Sequence, residues 1–135
     1  MMNQSNAKVL VIDDDDTIRE LVEFILNRNG YTPVCASNGK NGIEMAIVER
    51  PKIILLDRRM PDMDGNETLI RLKNNDALKD IPVIMLSGSS ISADVQASFE
   101  LGAVDYIVKP FKGASLIASL EKALKLENSD KDREC

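Results

Sequence analysis

The sequence predicts an α/β domain built as a doubly wound parallel sheet, and three observations carry that prediction. Short apolar runs recur along the 135 residues at Val9 to Ile12, Ile53 to Leu56, Val83 to Leu86 and Ile107 to Val108, with a weaker one at Thr32 to Ala36. The four stronger runs are rich in Val, Ile and Leu and largely free of polar residues, as strands covered on both faces must be. Between them lie segments with apolar residues at helical spacing. A βαβαβαβαβα order with right-handed crossovers leaves few other arrangements.

The elements follow in chain order. After the first run, Ile18, Leu21, Val22 and Ile25 obey the i, i+3, i+4, i+7 rule for a helix with one buried face. Thr17 and Glu20 stand at capping-box spacing, and Gly30 follows as a stop signal. In Thr32 to Ala36, Pro33 has no N–H to give to a ladder, which assigns this strand to a sheet edge. The segment from Ser90 to Leu101 is closed by Gly102, and Leu116, Ile117, Leu120, Ala123 and Leu124 repeat the helical spacing near the end. These signals divide the chain into a disordered N-terminal segment (1–7), one domain (8–126) and a polar, aperiodic tail (127–135) expected to fray.

Composition narrows the function. A net charge of −5 repels a phosphate backbone, and no Lys/Arg-rich run offsets it, which argues against direct nucleic-acid binding. No apolar stretch approaches the roughly 20 residues of a membrane span, and Met1 to Ala7 is polar, so the chain reads as cytoplasmic. Cys35 and Cys135 form no C-x-x-C pair and there is no histidine, which removes a zinc site and a phosphohistidine of the chain's own.

In a doubly wound sheet the ligand site lies beyond the carboxyl ends of the strands. The residues there are Asp13 and Asp14 after the first strand, Asp57 after the third, Ser87 after the fourth and Lys109 after the fifth. Clustered carboxylates repel one another, a cost tolerated where a hard divalent cation neutralises them. Mg²⁺ suits a site of one or two carboxylates, waters and phosphate oxygens. Lys109 adds a movable positive charge and Ser87 a hydroxyl donor, so the set is suited to a phosphoryl group.

Four ordered motifs, VLVIDDDD (9–16), IILLDRRMPDMDG (53–65), VIMLSG (83–88) and DYIVKPF (105–111), resemble the response-regulator receiver family over about Lys8 to Leu126. The resemblance implies a five-stranded, flavodoxin-like (βα)5 sheet in the order 2-1-3-4-5. It implies that Asp57 is the phospho-acceptor, and that Asp14, Asp57 and the backbone carbonyl of Arg59 hold Mg²⁺, with Mn²⁺ as a substitute. Asp13 would act through a metal-bound water, Lys109 would contact the phosphoryl group, and Ser87 and Tyr106 would be the switch residues. Lys109-Pro110 resembles the family's cis peptide.

A receiver of this kind takes its phosphoryl group from a sensor histidine kinase or a histidine phosphotransfer protein. It passes the signal to a downstream effector protein, or relays the phosphoryl group, as a monomer or a phosphorylation-dependent dimer. It is not a conventional turnover enzyme, although it promotes its own aspartyl phosphorylation and dephosphorylation. Arg58, Arg59 and Ser89 depart from the common pattern. Arg59, two residues past the acceptor, is expected to tune water access to the aspartyl phosphate.

Other readings of the same residues are weaker. Asp13 to Thr17 matches the D-x-D-x-T of a haloacid-dehalogenase-like phosphatase with Asp13 as nucleophile, but no further acidic pair follows Lys109 and Asp57 would be unexplained. A flavin module would need a Ser/Thr/Gly-rich loop in place of the acidic one. A degenerate receiver is not favoured, because every expected side chain is present. Asp15 and Asp16 are read as decoration or capping of the first helix. Asp62 to Gly65 is read as a turn rather than a calcium loop.

Overall fold

A computed structural model describes the backbone of residues 7–134 and the side chains of residues 7–125. Five strands and five helices alternate: β1 (Lys8–Ile12), α1 (Asp16–Arg28), β2 (Thr32–Ala36), α2 (Gly39–Glu49), β3 (Ile53–Asp57), α3 (Gly65–Lys73), β4 (Val83–Ser87), α4 (Ser92–Glu100), β5 (Asp105–Val108) and α5 (Gly113–Glu134). All strands are parallel, in the order β2-β1-β3-β4-β5. Pro33 lies on edge strand β2 opposite Val9, where its missing donor costs no ladder bond to a further strand.

The pleat sends alternate side chains to two cores. Val9, Val11, Ile53, Leu55, Ile84 and Leu86 meet Val22 and Leu26 of α1 and Leu116, Leu120 and Leu124 of α5. Leu10, Ile12, Ile54, Leu56, Val83 and Met85 meet Ala46 of α2 and Leu69 and Leu72 of α3. β3 and β4 are buried along their whole length, the physical reason their sequences read as unbroken apolar runs.

Some expectations are corrected. Leu21 is exposed on α1 and Leu26 takes its place in the core, one residue past the expected spacing. Thr17 is not the N-cap of α1; Asp15 is, its carboxylate accepting from the backbone N–H of Thr17 at 2.9 Å and of Ile18 at 3.4 Å. Ala7 belongs to the ordered domain, since its carbonyl accepts from Thr32 N–H at 2.9 Å, while the rest of the proposed N-terminal segment lies outside the described residues. α5 continues past Leu126 to Glu134. Residues 127–134 contain no Gly or Pro and several good helix formers, so nothing in that segment stops a helix.

Candidate functional site

β1 lies between β2 and β3, so successive connections leave it in opposite directions and a crevice opens at the carboxyl ends of β1 and β3. Asp13 leaves the sheet there, fully buried. Its N–H donates to the Ala36 carbonyl at 3.2 Å, its carbonyl accepts from Arg19 Nη1 at 2.7 Å, and its Oδ1 accepts from Asp15 N–H at 2.9 Å. Those bonds fix the turn and leave Oδ2 for the crevice. Asp57 ends β3 and is also buried, whereas Asp14 is exposed at the rim.

The loop after Asp57 is folded back tightly. Arg58 N–H donates to the Leu86 carbonyl and Gly65 N–H to the Arg58 carbonyl, both at 2.8 Å. A Cβ on Gly65 would stand 2.2 Å from the Asp57 carbonyl oxygen and 2.6 Å from Arg58 Cα, so only glycine permits this approach. Asp64, in the segment that faintly matched a calcium loop, caps α3 by accepting from Glu67 N–H at 2.9 Å.

Lys109 follows β5, tied by its N–H to the Ser87 carbonyl at 2.6 Å and followed by a cis bond to Pro110. Its ammonium donates to Asp13 Oδ2 and to Asp57 Oδ1, each at 3.0 Å. Carboxylate oxygens of Asp13, Asp14 and Asp57 lie within 4.8 Å of one another. Asp13 and Asp57 therefore share one ammonium, with the Asp14 carboxylate close beside them.

Burial, and then the neighbouring Asp13 charge, push the Asp57 carboxyl up from 3.8 to about 6, against the downward pull of Lys109 and of the Arg59 backbone N–H. For Lys109, burial acts to lower the pKa. The two carboxylates outweigh it and hold the ammonium above its ordinary value. Lys109 is thus a fixed cation, and Asp57 is a carboxylate whose ionised form is costly until positive charge arrives.

Asp13, Asp14, Asp57, Arg59, Ser87 and Lys109 share one cleft of about 700 Å³. Tyr106 is not in its lining; half-buried on β5, its hydroxyl donates to the Ser89 carbonyl at 2.9 Å. Ser89, which lines the cleft, donates its N–H to Ser87 Oγ at 3.0 Å, so Tyr106 stands one contact behind the lining and two from Ser87.

The family model described as "Response regulator receiver domain" matches residues 9–121. The chain belongs to the response regulator receiver family. It is 39% identical over 117 residues to the transcriptional regulatory protein CseB of Streptomyces coelicolor, which covers 87% of this chain and 49% of that protein. The chain thus spans about half the length of the curated relatives it matches. Among solved structures, chemotaxis protein CheY4 of Vibrio cholerae superposes with a TM-score of 0.83 at 31% identity, covering 87% of this chain and 98% of that one. The signal receiver domain of a histidine kinase from Syntrophus aciditrophicus gives a TM-score of 0.81 at 34% identity, covering 88% and 90%.

Membership in this family leaves the haloacid-dehalogenase reading without support, and the receiver's own contacts explain the coincidence of its motif. Asp15, the second acid of a D-x-D-x-T motif, is committed to capping α1 through the Thr17 and Ile18 N–H groups.

Sequence reasoning missed Asp94. It lines the same cleft from α4, accepts from Ser89 Oγ at 2.6 Å and pairs with Arg58 at 2.9 Å. An Asp in the first turn of a helix carries no local sign of a partner 36 positions away. The only signal was the unusual Arg58 beside Asp57.

Proposed function

We propose that this receiver accepts a phosphoryl group on the Asp57 carboxylate and uses it as a conformational switch. The observation that supports it most is Asp57 Oδ1 held 3.0 Å from the Lys109 ammonium, with Asp13 on the same cation and Ser87 in the same cleft. A carboxylate oxygen attacks the phosphorus of a phosphohistidine on a sensor kinase or phosphotransfer protein. The P–N bond breaks, the imidazole leaves with its electron pair, and an acyl phosphate forms on Asp57. Water later cleaves the acyl phosphate to inorganic phosphate and restores the carboxylate.

In this reading the Lys109 ammonium contacts a phosphoryl oxygen and the Ser87 hydroxyl donates to another. Asp14, Asp57 and the Arg59 carbonyl would hold Mg²⁺, or Mn²⁺ in its place, with Asp13 acting through a water. All are hard oxygen donors, and three close carboxylates against one ammonium fit a divalent cation. The bound ion would supply charge neutralisation for the transferring phosphoryl group. Ser87 moving towards the phosphoryl oxygens disturbs Ser89, and through it Tyr106.

The chain modifies itself rather than turning over a free substrate. Its output is contact with an effector protein or relay of the phosphoryl group, as a monomer or a phosphorylation-dependent dimer. Its acidity, with a pI near 4.8, supports an output that does not involve direct nucleic-acid contact. No helix among the described residues is long and apolar enough to cross a membrane, and a cytoplasmic location is consistent with that.

Intact mass after incubation with acetyl phosphate tests the reading. One phosphoryl adduct is expected on the native chain with Mg²⁺, and none in EDTA or on Asp57→Asn. An adduct on Asp57→Asn, or none on the folded native chain, overturns it.

A further inference from the structure

The residue directly after the acceptor carries a cation that does not line the phosphoryl cleft. Arg58 Nη2 instead reaches Asp94 Oδ1 at 2.9 Å, bridging the β3–α3 loop and the first turn of α4, with both side chains mostly shielded from solvent. Asp94 is doubly engaged, because its Oδ2 accepts from Ser89 Oγ at 2.6 Å. Ser89 then connects to both switch positions through its N–H to Ser87 Oγ at 3.0 Å and its carbonyl from Tyr106 Oη at 2.9 Å. A single chain of polar contacts thus runs from Arg58 to Ser87 and Tyr106.

The first turn of α4 has little else to hold it. Its N-cap is Ile91, which supplies no side-chain hydrogen bond, and Ile91 N–H is instead satisfied by Ser89 Oγ at 3.2 Å. On the other side, Arg58 Nε and Nη1 are buried with no hydrogen-bond partner among the described residues. The guanidinium is therefore attached at one point, without the bidentate fork that makes such pairs strong.

Asp94 lines the cleft around Asp57 and Arg58 does not. Phosphorylation turns the single negative charge of the Asp57 carboxylate into about two on the acyl phosphate, a net gain of about one in that cleft. It pushes the Asp94 carboxylate out and draws the Arg58 guanidinium in, so the two halves of the pair feel opposite forces. We propose that the Arg58–Asp94 pair is a latch that positions the β4–α4 connection in the unphosphorylated state and is opened by the phosphoryl charge on Asp57. This rests on the reading of Asp57 as acceptor. An interaction made in only one state biases the equilibrium towards that state, so the latch lowers affinity for a phosphoryl group or its mimic.

Titration of the full chain with beryllofluoride in Mg²⁺, followed by the Ser89 amide resonance, tests the latch. Arg58→Met is the decisive variant, because loss of a positive charge near the site weakens anion binding through space, whereas loss of the latch strengthens it. Affinity about two- to fivefold tighter than native is expected, the size of a partly shielded ion pair. Arg58→Lys, which keeps the charge and a donor, should return most of the way to native. Arg58→Met combined with Asp94→Asn should gain less than the product of the single gains.

If the Met variant fails to fold, Arg58→Gln makes the same comparison. Native binding with Arg58→Met or Arg58→Gln equal to or weaker than native overturns the latch alone. A folded native chain that takes neither beryllofluoride nor phosphoryl overturns the acceptor reading and the latch with it.

Discussion

Replacing Asp57 by Asn in the metal-free protein removes a carboxylate that folding disfavours in its ionised form. The rise from 3.8 to about 6 on burial beside Asp13, at about 1.4 kcal/mol per pH unit, amounts to about 3 kcal/mol. The sign follows from linkage. A carboxyl whose folded pKa lies above its unfolded value contributes nothing adverse below about pH 4, where it is protonated in both states. The cost grows as pH rises through about 6 and is constant above.

The 3.0 Å Lys109 contact is already included in that net rise, and water in the open cleft screens part of the remaining cost, leaving about half of it. Asp57→Asn should therefore be more stable than the native chain by about 1–2 kcal/mol at pH 8, and this advantage should shrink towards zero or reverse near pH 4. For a domain of this length that corresponds to about 3–6 °C in melting temperature. Thermal unfolding of both proteins in EDTA, from pH 4 to 8, measures it. Added Mg²⁺ should narrow the difference by stabilising the native site. A difference between the two chains that does not change with pH would refute the assignment of a strained, ionised Asp57.

Other perturbations follow from single contacts. Gly65→Ala would drive a methyl group into the Asp57 carbonyl and Arg58 Cα, and urea unfolding should show a loss of at least about 2 kcal/mol, with slower acetyl phosphate labelling. Asp15→Ala removes the α1 cap and should cost about 1 kcal/mol in the same assay, with Asp15→Asn recovering most of it. Arg59, exposed at the rim of the cleft, should set water access to the aspartyl phosphate, so Arg59→Ala should change the half-life of the mass adduct. An unchanged half-life removes that role.

Much of this molecule was legible in its linear order because its strands are covered on both faces. Complete burial forces unbroken apolar runs such as Ile53 to Leu56 and Val83 to Leu86, and the polar residue that ends each run marks the carboxyl edge of the sheet. Asp13, Asp57, Ser87 and Lys109 could be found that way, and the topology brings them into one cleft. Pro33 likewise announced an edge strand through a missing donor.

The tertiary structure decided what local spacing cannot encode. Thr17 and Glu20 have the spacing of a cap, yet Asp15 captures the free N–H groups of α1 because the turn pinned by Asp13 starts the helix two residues earlier. Leu26 rather than Leu21 faces the core, because the cluster of sheet and α5 residues that α1 packs against selects the buried stripe. The Arg58–Asp94 pair joins two loops that meet only when β3 and β4 lie side by side. The sequence alone determined the alternation of strands and helices and the identity of the acid and lysine at the sheet edge. Which cap closes each helix, which face is buried and which charges pair across the cleft follow from contacts between distant segments, and those exist only after the sheet has formed.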